Sequence, residues 1–283
     1  MRSGRAPRRR AGLRALTAAA VAAVLLTGCD RPTATVGPGG VPGHKAAQEA
    51  RSAKGPTPTA QPYRRWGLTA PLSAPPSPPA RPQPPPGGGP LPVVDRVATR
   101  DRVVFLTYDD GAEKDPRFVD MVRELRLPVS MFLTDSVVGP GYGHFARLRS
   151  VGASMQNHTL DHAALRGLPY AGQRAEICGQ QNKLRARFGI RPHLFRPPYG
   201  TYDTTTLRAA ADCGVRAVVL WRAAMEGDGE LTYAEGPGRL RAGDIVSVPS
   251  REPTGMTLRE RTARLLREIH RGGLTVGRLE DYV

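Results

Sequence analysis

The 283-residue chain has no apolar run long enough to cross a bilayer. The stretch Ala15 to Leu26 has 12 residues, and a spanning helix needs about 20. Cysteine is scarce, at three residues, so at most one disulfide remains once Cys29 is set aside for the role argued below. Proline is scarce where the periodic apolar pattern lies: residues 93–283 hold 10 of the 28, while 17 crowd into residues 30–92. That imbalance excludes two folded domains and leaves one of about 190 residues, a normal size for a single core. Nucleic-acid recognition motifs are absent too. The net charge is +16, yet residues 95–283 carry 28 basic against 23 acidic groups, so most of the excess lies outside the domain. No nucleic-acid partner is expected.

Six arginines with no acid precede the apolar run, and Leu26-Thr27-Gly28-Cys29 follows it. A basic head, a short apolar segment and small residues before a cut site describe an export signal. The four residues resemble the lipobox of bacterial lipoproteins, which makes 1–28 a signal peptide and Cys29 the lipid-modified first residue of the mature chain. The expected location is the outer face of the cell membrane, with the membrane reached through that lipid anchor. Residues 29–92 are too rich in proline and glycine to bury a core and read as a disordered linker, a partly stiff tether. Cys178 and Cys213 remain; outside the cytoplasm they are free to oxidise and form a candidate disulfide.

The folded part, 93–283, alternates strand and helix patterns. Buried-strand signals stand at Arg102–Leu106, Val129–Leu133, Ala153–Met155, Leu194–Arg196, Val215–Trp221 and Ile245–Val248, with helical spacing between them. That is an α/β parallel sheet, open or closed into a barrel, with its chemistry at the C-terminal strand ends. Polar clusters fall at those ends. Asp109-Asp110 follows the first strand, and adjacent carboxylates are costly unless a cation or donors offset them. His158 and His162 follow the third strand; one helical turn would put both imidazoles on one face. Two histidines and a carboxylate make a familiar catalytic zinc set. Arg196-Pro197-Pro198-Tyr199-Gly200 ends the fourth extended segment, where Arg196 could orient a carboxylate.

Together these clusters resemble the motifs of the polysaccharide deacetylase family (carbohydrate esterase family 4) over about residues 98–283. Thr107-Tyr108-Asp109-Asp110-Gly111 is similar to its first motif, usually with Phe in the second place. His158-Thr159-Leu160-Asp161-His162 and Arg196-Pro197-Pro198-Tyr199-Gly200 match the second and third. The resemblance implies a distorted (β/α) barrel and a hydrolase that removes N- or O-acetyl groups from a cell-wall or extracellular glycan, peptidoglycan, chitin-like or xylan-like. It implies that Asp110, His158 and His162 hold a divalent metal, Zn²⁺ or else Co²⁺. Asp109 would then be the base on metal-bound water, Arg196 would orient it, and the Tyr199 N–H would stabilise the oxyanion.

Two motifs depart from the family. The fourth usually carries an Asp and a Trp that support the base through its arginine; here it reads Trp221-Arg222-Ala223-Ala224-Met225-Glu226, with Glu226 or Asp228 as substitutes for the acid. The fifth usually ends a strand in His, the proton donor to the leaving group, and Pro249 stands there instead. Losing such a donor costs about 10²–10⁴ in rate, which matters less for an acetate ester than for an amide. His144 is the substitute acid in reach of the sequence, against a plain surface reading; His193 and His270 read as structural or exposed. Only Trp221 falls in the expected domain, which leaves no stacking platform for a long glycan. The alternative is a non-catalytic metal- and glycan-binding wall module.

Overall fold

The computed structural model describes residues 61–78, 91–236, 238–250 and 255–283. The expected signal peptide 1–28, the expected lipidation site Cys29 and most of the expected 29–92 linker lie outside the described residues. A short helix α1 (Pro62–Arg65) is followed by β1 (Val93–Val94), β2 (Val103–Asp110), α2 (Pro116–Leu125), β3 (Val129–Leu133), α3 (Asp135–Val138) and α4 (Tyr142–Ser150). Then come β4 (Ser154–Asn157), α5 (Tyr170–Phe188), β5 (Leu194–Phe195), α6 (Thr204–Asp212), β6 (Ala217–Val219) and β7 (Ala223–Met225). The chain ends with β8 (Leu231–Tyr233), β9 (Ile245–Val248), α7 (Leu258–Arg271) and β10 (Thr275–Val276).

The strands form one curled sheet in the order β1-β6-β5-β4-β3-β2-β9-β7-β8, with β10 added beside β2. Every pairing is parallel except β7 with β8. Beyond β1, Arg96 bridges Asp244 and the Val97 N–H donates to Gly243 O (2.8 Å), so the two sides of the sheet meet. This is the distorted (β/α) barrel expected. The central strands are buried on both faces, which is why β2, β3 and β9 read as mostly apolar runs rather than as alternation. Helix starts are fixed locally. Asp115 accepts from the Arg117 N–H ahead of α2, and reciprocal capping boxes, Asp203 with Thr206 and Thr257 with Glu260, open α6 and α7. Cys178 on α5 and Cys213 after α6 form the disulfide.

The tether expectation fails for residues 61–78. Trp66 and Leu68 are buried in the same core cluster as β2, α2 and α7, and the Trp66 indole N–H donates to Glu124 Oε2 (2.8 Å). Farther on, Ser73 O accepts from the Thr275 hydroxyl. One tryptophan and one leucine, spaced for contact, outweigh the proline around them. Trp66 therefore joins Trp221 inside the domain, which begins before residue 93. Truncating it tests this packing. Trp66→Ala is expected to lower unfolding free energy by about 3 kcal/mol in urea titrations, whereas a loose tether would give no measurable change.

Candidate metal centre

Four motif segments meet at the C-terminal ends of β2, β4, β5 and β9. Asp110 Oδ1 lies 3.1 Å from His162 Nε2 and 3.3 Å from His158 Nε2, and the three ligand atoms fall within 4.8 Å of one another. The His158 Nδ1 lies 2.8 Å from Arg196 O, a carbonyl that can only accept. Nδ1 therefore carries the proton, and the Nε2 lone pair points at the carboxylate. Asp110 Oδ1 is buried and takes no hydrogen bond of good geometry. Lone pairs aimed at one another need a cation or a proton between them. The donor set, two imidazoles and one carboxylate oxygen, suits a divalent metal with room for other ligands. Burial alone would raise the Asp110 carboxyl, but the two imidazoles hold it well below the usual range. Asp110 in turn pushes His162 above its ordinary value, against its burial.

The H-x-x-x-H spacing does not act through a helix, as one helical turn would have had it. Residues 158–162 form a loop in which Thr159 (φ 72°) and His162 (φ 59°) are left-handed. Asp110 (φ 64°) and Tyr199 (φ 59°) share that conformation, so four of the five described non-glycine residues with positive φ lie in this site. Such backbone persists only where neighbours over-determine it. The Asn157 side chain accepts from the Thr159 N–H (2.9 Å) and donates to Ile177 O (2.9 Å). Glu176 Oε2 accepts from the N–H groups of Leu160 (3.1 Å) and Asp161 (2.9 Å). No sequence signal pointed to Glu176.

Asp109, beside the candidate ligand Asp110, is buried and has both carboxylate oxygens engaged. Arg196 Nη1 donates to Oδ1 (2.6 Å) and the Ser247 hydroxyl donates to Oδ2 (2.8 Å). Arg196 has no exposure at all. Burial lowers its pKa, with Asp109 opposing the shift. Its Nε and Nη2 donate to Val219 O and Leu220 O (both 3.2 Å), and it packs over Phe132 and Trp221 with ring distances of 4.4 and 5.3 Å. The expected acid is not replaced by Glu226 or Asp228. Glu226 accepts from Thr232 and Asp228 from the Glu230 N–H. Two backbone carbonyls do the anchoring, and Trp221 keeps its place. Ser247 was missed, although a lone hydroxyl in the buried run Ile245–Val248 needs a partner and could have signalled one.

Tyr199 is 64 % exposed, and its ring lies edge-on to His162 at 4.9 Å. The hydrogen bonds of its turn come from the N–H groups of Gly200 (to Pro197 O) and Thr201 (to Pro198 O). Pro249 offers its carbonyl to Arg261 Nη1 (2.6 Å). His144 is no surface residue. It is buried, and burial together with Arg147 and Lys114 lowers its pKa; its ring packs on Phe145. His193 precedes β5, whereas the site follows that strand, and His270 is exposed near the end of α7.

The sequence pattern of the polysaccharide deacetylase family matches residues 96–218. An uncharacterized protein of Streptomyces coelicolor is 68 % identical over 192 residues, covering 68 % of this chain and 77 % of that one. The chain belongs to the polysaccharide deacetylase family. It is 26 % identical over 180 residues to chitin deacetylase 1 of Cryptococcus neoformans, but spans only 38 % of that protein while 63 % of this chain is covered. Further relatives carry the names of xylan and peptidoglycan deacetylases. In fold it is similar to a family 4 pseudoenzyme from Bacillus anthracis (TM-score 0.57, 17 % identity, 69 % of each chain). Deacetylases of this family are metal-dependent, and Asp110, His158 and His162 lie close enough together to hold an ion in common.

Removing the clamp on the second motif gives a direct test. Glu176→Ala strips the side-chain acceptor from the Asp161 and Leu160 N–H groups and leaves Leu160 only its bond to the backbone Glu176 O (3.1 Å). Zn²⁺ affinity, titrated by calorimetry, is expected to fall by about 10–100-fold. Unchanged affinity would mean that the loop holds its shape without Glu176.

Proposed function

We propose that the protein is a metal-dependent deacetylase acting on an acetylated glycan of the cell envelope, anchored outside the membrane through Cys29. The observation that carries this reading is the placement of Asp109, oriented at both oxygens and adjacent to the ligand trio. Asp110, His158 and His162 would hold the ion, with Zn²⁺ best suited to the set. When bound, such an ion supplies Lewis acidity toward an acetyl carbonyl and toward water.

Asp109 accepts the proton of the attacking water. Arg196 and Ser247 fix which lone pairs are free for it, so little reorganisation accompanies the transfer. The Tyr199 N–H, which the turn does not use for its own bonds at Gly200 and Thr201, donates to the oxygen that gains charge. Pro249 has no proton to give, and the remaining described histidines lie away from these groups. Asp109 therefore returns the proton it took to the departing oxygen or nitrogen. One carboxyl serving both steps suits an ester, whose alkoxide leaves with less help than an amine anion. We assign the preferred substrate as an O-acetylated glycan, with N-acetyl groups removed more slowly.

Pro249 also favours a second reading, a metal- and glycan-binding wall module without turnover, and a pseudoenzyme shares the fold. Acetate release separates the two. The zinc-loaded full chain is expected to release acetate from acetylated xylan faster than from chitin oligomers or peptidoglycan. Asp109→Asn should lower that rate by about 10²–10⁴ with zinc affinity retained. A folded, zinc-loaded protein that releases no acetate from any of the three would establish the binding module instead.

A further inference from the structure

An arginine-rich surface includes residues that precede β2, β9 and β10, away from the ends of β2 and β4 that carry the candidate metal centre. Three concavities of about 570, 230 and 590 Å³ share walls: Tyr233, Arg239 and Arg241 line the first and second, and Arg96 and Arg222 the second and third. They make one continuous groove, flanked at its ends by Arg102 and Arg271 on one side and Arg100 on the other. Four acids also line it, and all are taken. Asp95 and Glu235 pair with Arg222, Asp244 lies 3.4 Å from Arg96, and Glu268 is 2.5 Å from Arg271. The other arginines make no ion pair, although Arg241 lies near enough to Asp244 to feel its charge. Arg102 donates to the carbonyls of Gly272 (2.7 Å) and Gly273 (2.8 Å), which leaves its charge uncompensated. Arg100, Arg239 and Arg241 are exposed and make no side-chain hydrogen bond or ion pair among the described residues. Seven guanidiniums against four carboxylates leave the lining net positive, with several planar donor forks.

We propose that this groove binds a linear polyanion of the cell envelope, a polyol or glycan chain joined by phosphodiesters. The three shallow concavities follow one another through shared walls, a form that fits a chain. Tyr233 is the sole aromatic among the lining residues, so there is no stacking ladder of the kind that holds single-stranded nucleic acid. Arg102, Arg241 and Arg271 precede β2, β9 and β10, whereas the metal ligands follow β2 and β4. A chain held in the groove leaves the metal centre open to a different polymer. The proposal stands independently of catalysis.

Binding of the full chain to poly(glycerol phosphate) tests it, with neutral dextran and poly(U) as comparison polymers, in a salt series. The wild-type chain should bind poly(glycerol phosphate), weaken steeply with salt, and ignore dextran. Arg239→Glu/Arg241→Glu should weaken binding at low salt by at least about tenfold, and Arg100→Glu by less, with thermal midpoints unchanged. Both changes fall on exposed, unpaired side chains, so a folding defect is not expected to confuse the readout. Absence of wild-type binding, equal binding by the double variant, or salt-insensitive binding would overturn the proposal. Tighter binding of poly(U) would replace it with a nucleic-acid role.

Discussion

A fully buried guanidinium facing a buried carboxylate is the constraint on which the site depends. Arg196 comes from the end of β5, Asp109 from the end of β2, and the carbonyls that hold Arg196 from the end of β6. Ser247 brings in β9. One ion pair thus ties together four strand ends that are far apart in sequence. Breaking such a pair by deleting one partner typically costs about 3–5 kcal/mol, because the other charge is left uncompensated in the interior. The pair is retained here with each guanidinium nitrogen donating, one to Asp109 and two to backbone carbonyls, while Phe132 and Trp221 pack against the cation. That completeness lets the fourth motif lose its acid without loosening the arginine.

The same pair organises the candidate metal ligands. Arg196 O fixes the His158 tautomer, so the residue that orients Asp109 through its side chain also sets a ligand through its backbone. Asp109 and Asp110 are neighbours with different surroundings because β2 leaves the extended conformation at its last residue, Asp110. The first carboxylate is still in the sheet and is held by donors. The second has turned into the left-handed region and faces the histidines.

Much of this was legible in the sequence. Buried parallel strands announce themselves as apolar runs, and polar residues that break such runs at their C-terminal ends mark the site, which is how Asp109, Asp110, His158, His162 and Arg196 were found. The failures share a physical origin. His158 and His162 are brought together by a strained loop, and the residue that restrains it, Glu176, lies on a helix with no periodic mark of its task. Trp66 sits among prolines, so composition averaged over residues 29–92 hid one strong anchor. The β7–β8 hairpin was missed because Ala223–Met225 and Leu231–Tyr233 are too short to show a period. The arginine groove draws on residues from 96 to 271, and its charge appears only once the sheet curls and the acids find their partners.

The central claim is that a divalent ion sits between Asp110, His158 and His162, with Asp109 left free beside it. Anomalous diffraction at the zinc edge, on crystals of the zinc-loaded protein, tests this most directly. The account predicts one zinc with the two Nε2 atoms and an Asp110 oxygen at about 2.0–2.2 Å, and Asp109 still bonded to Arg196 and Ser247. Zinc coordinated by Asp109, or zinc bound elsewhere with this trio vacant, would contradict it.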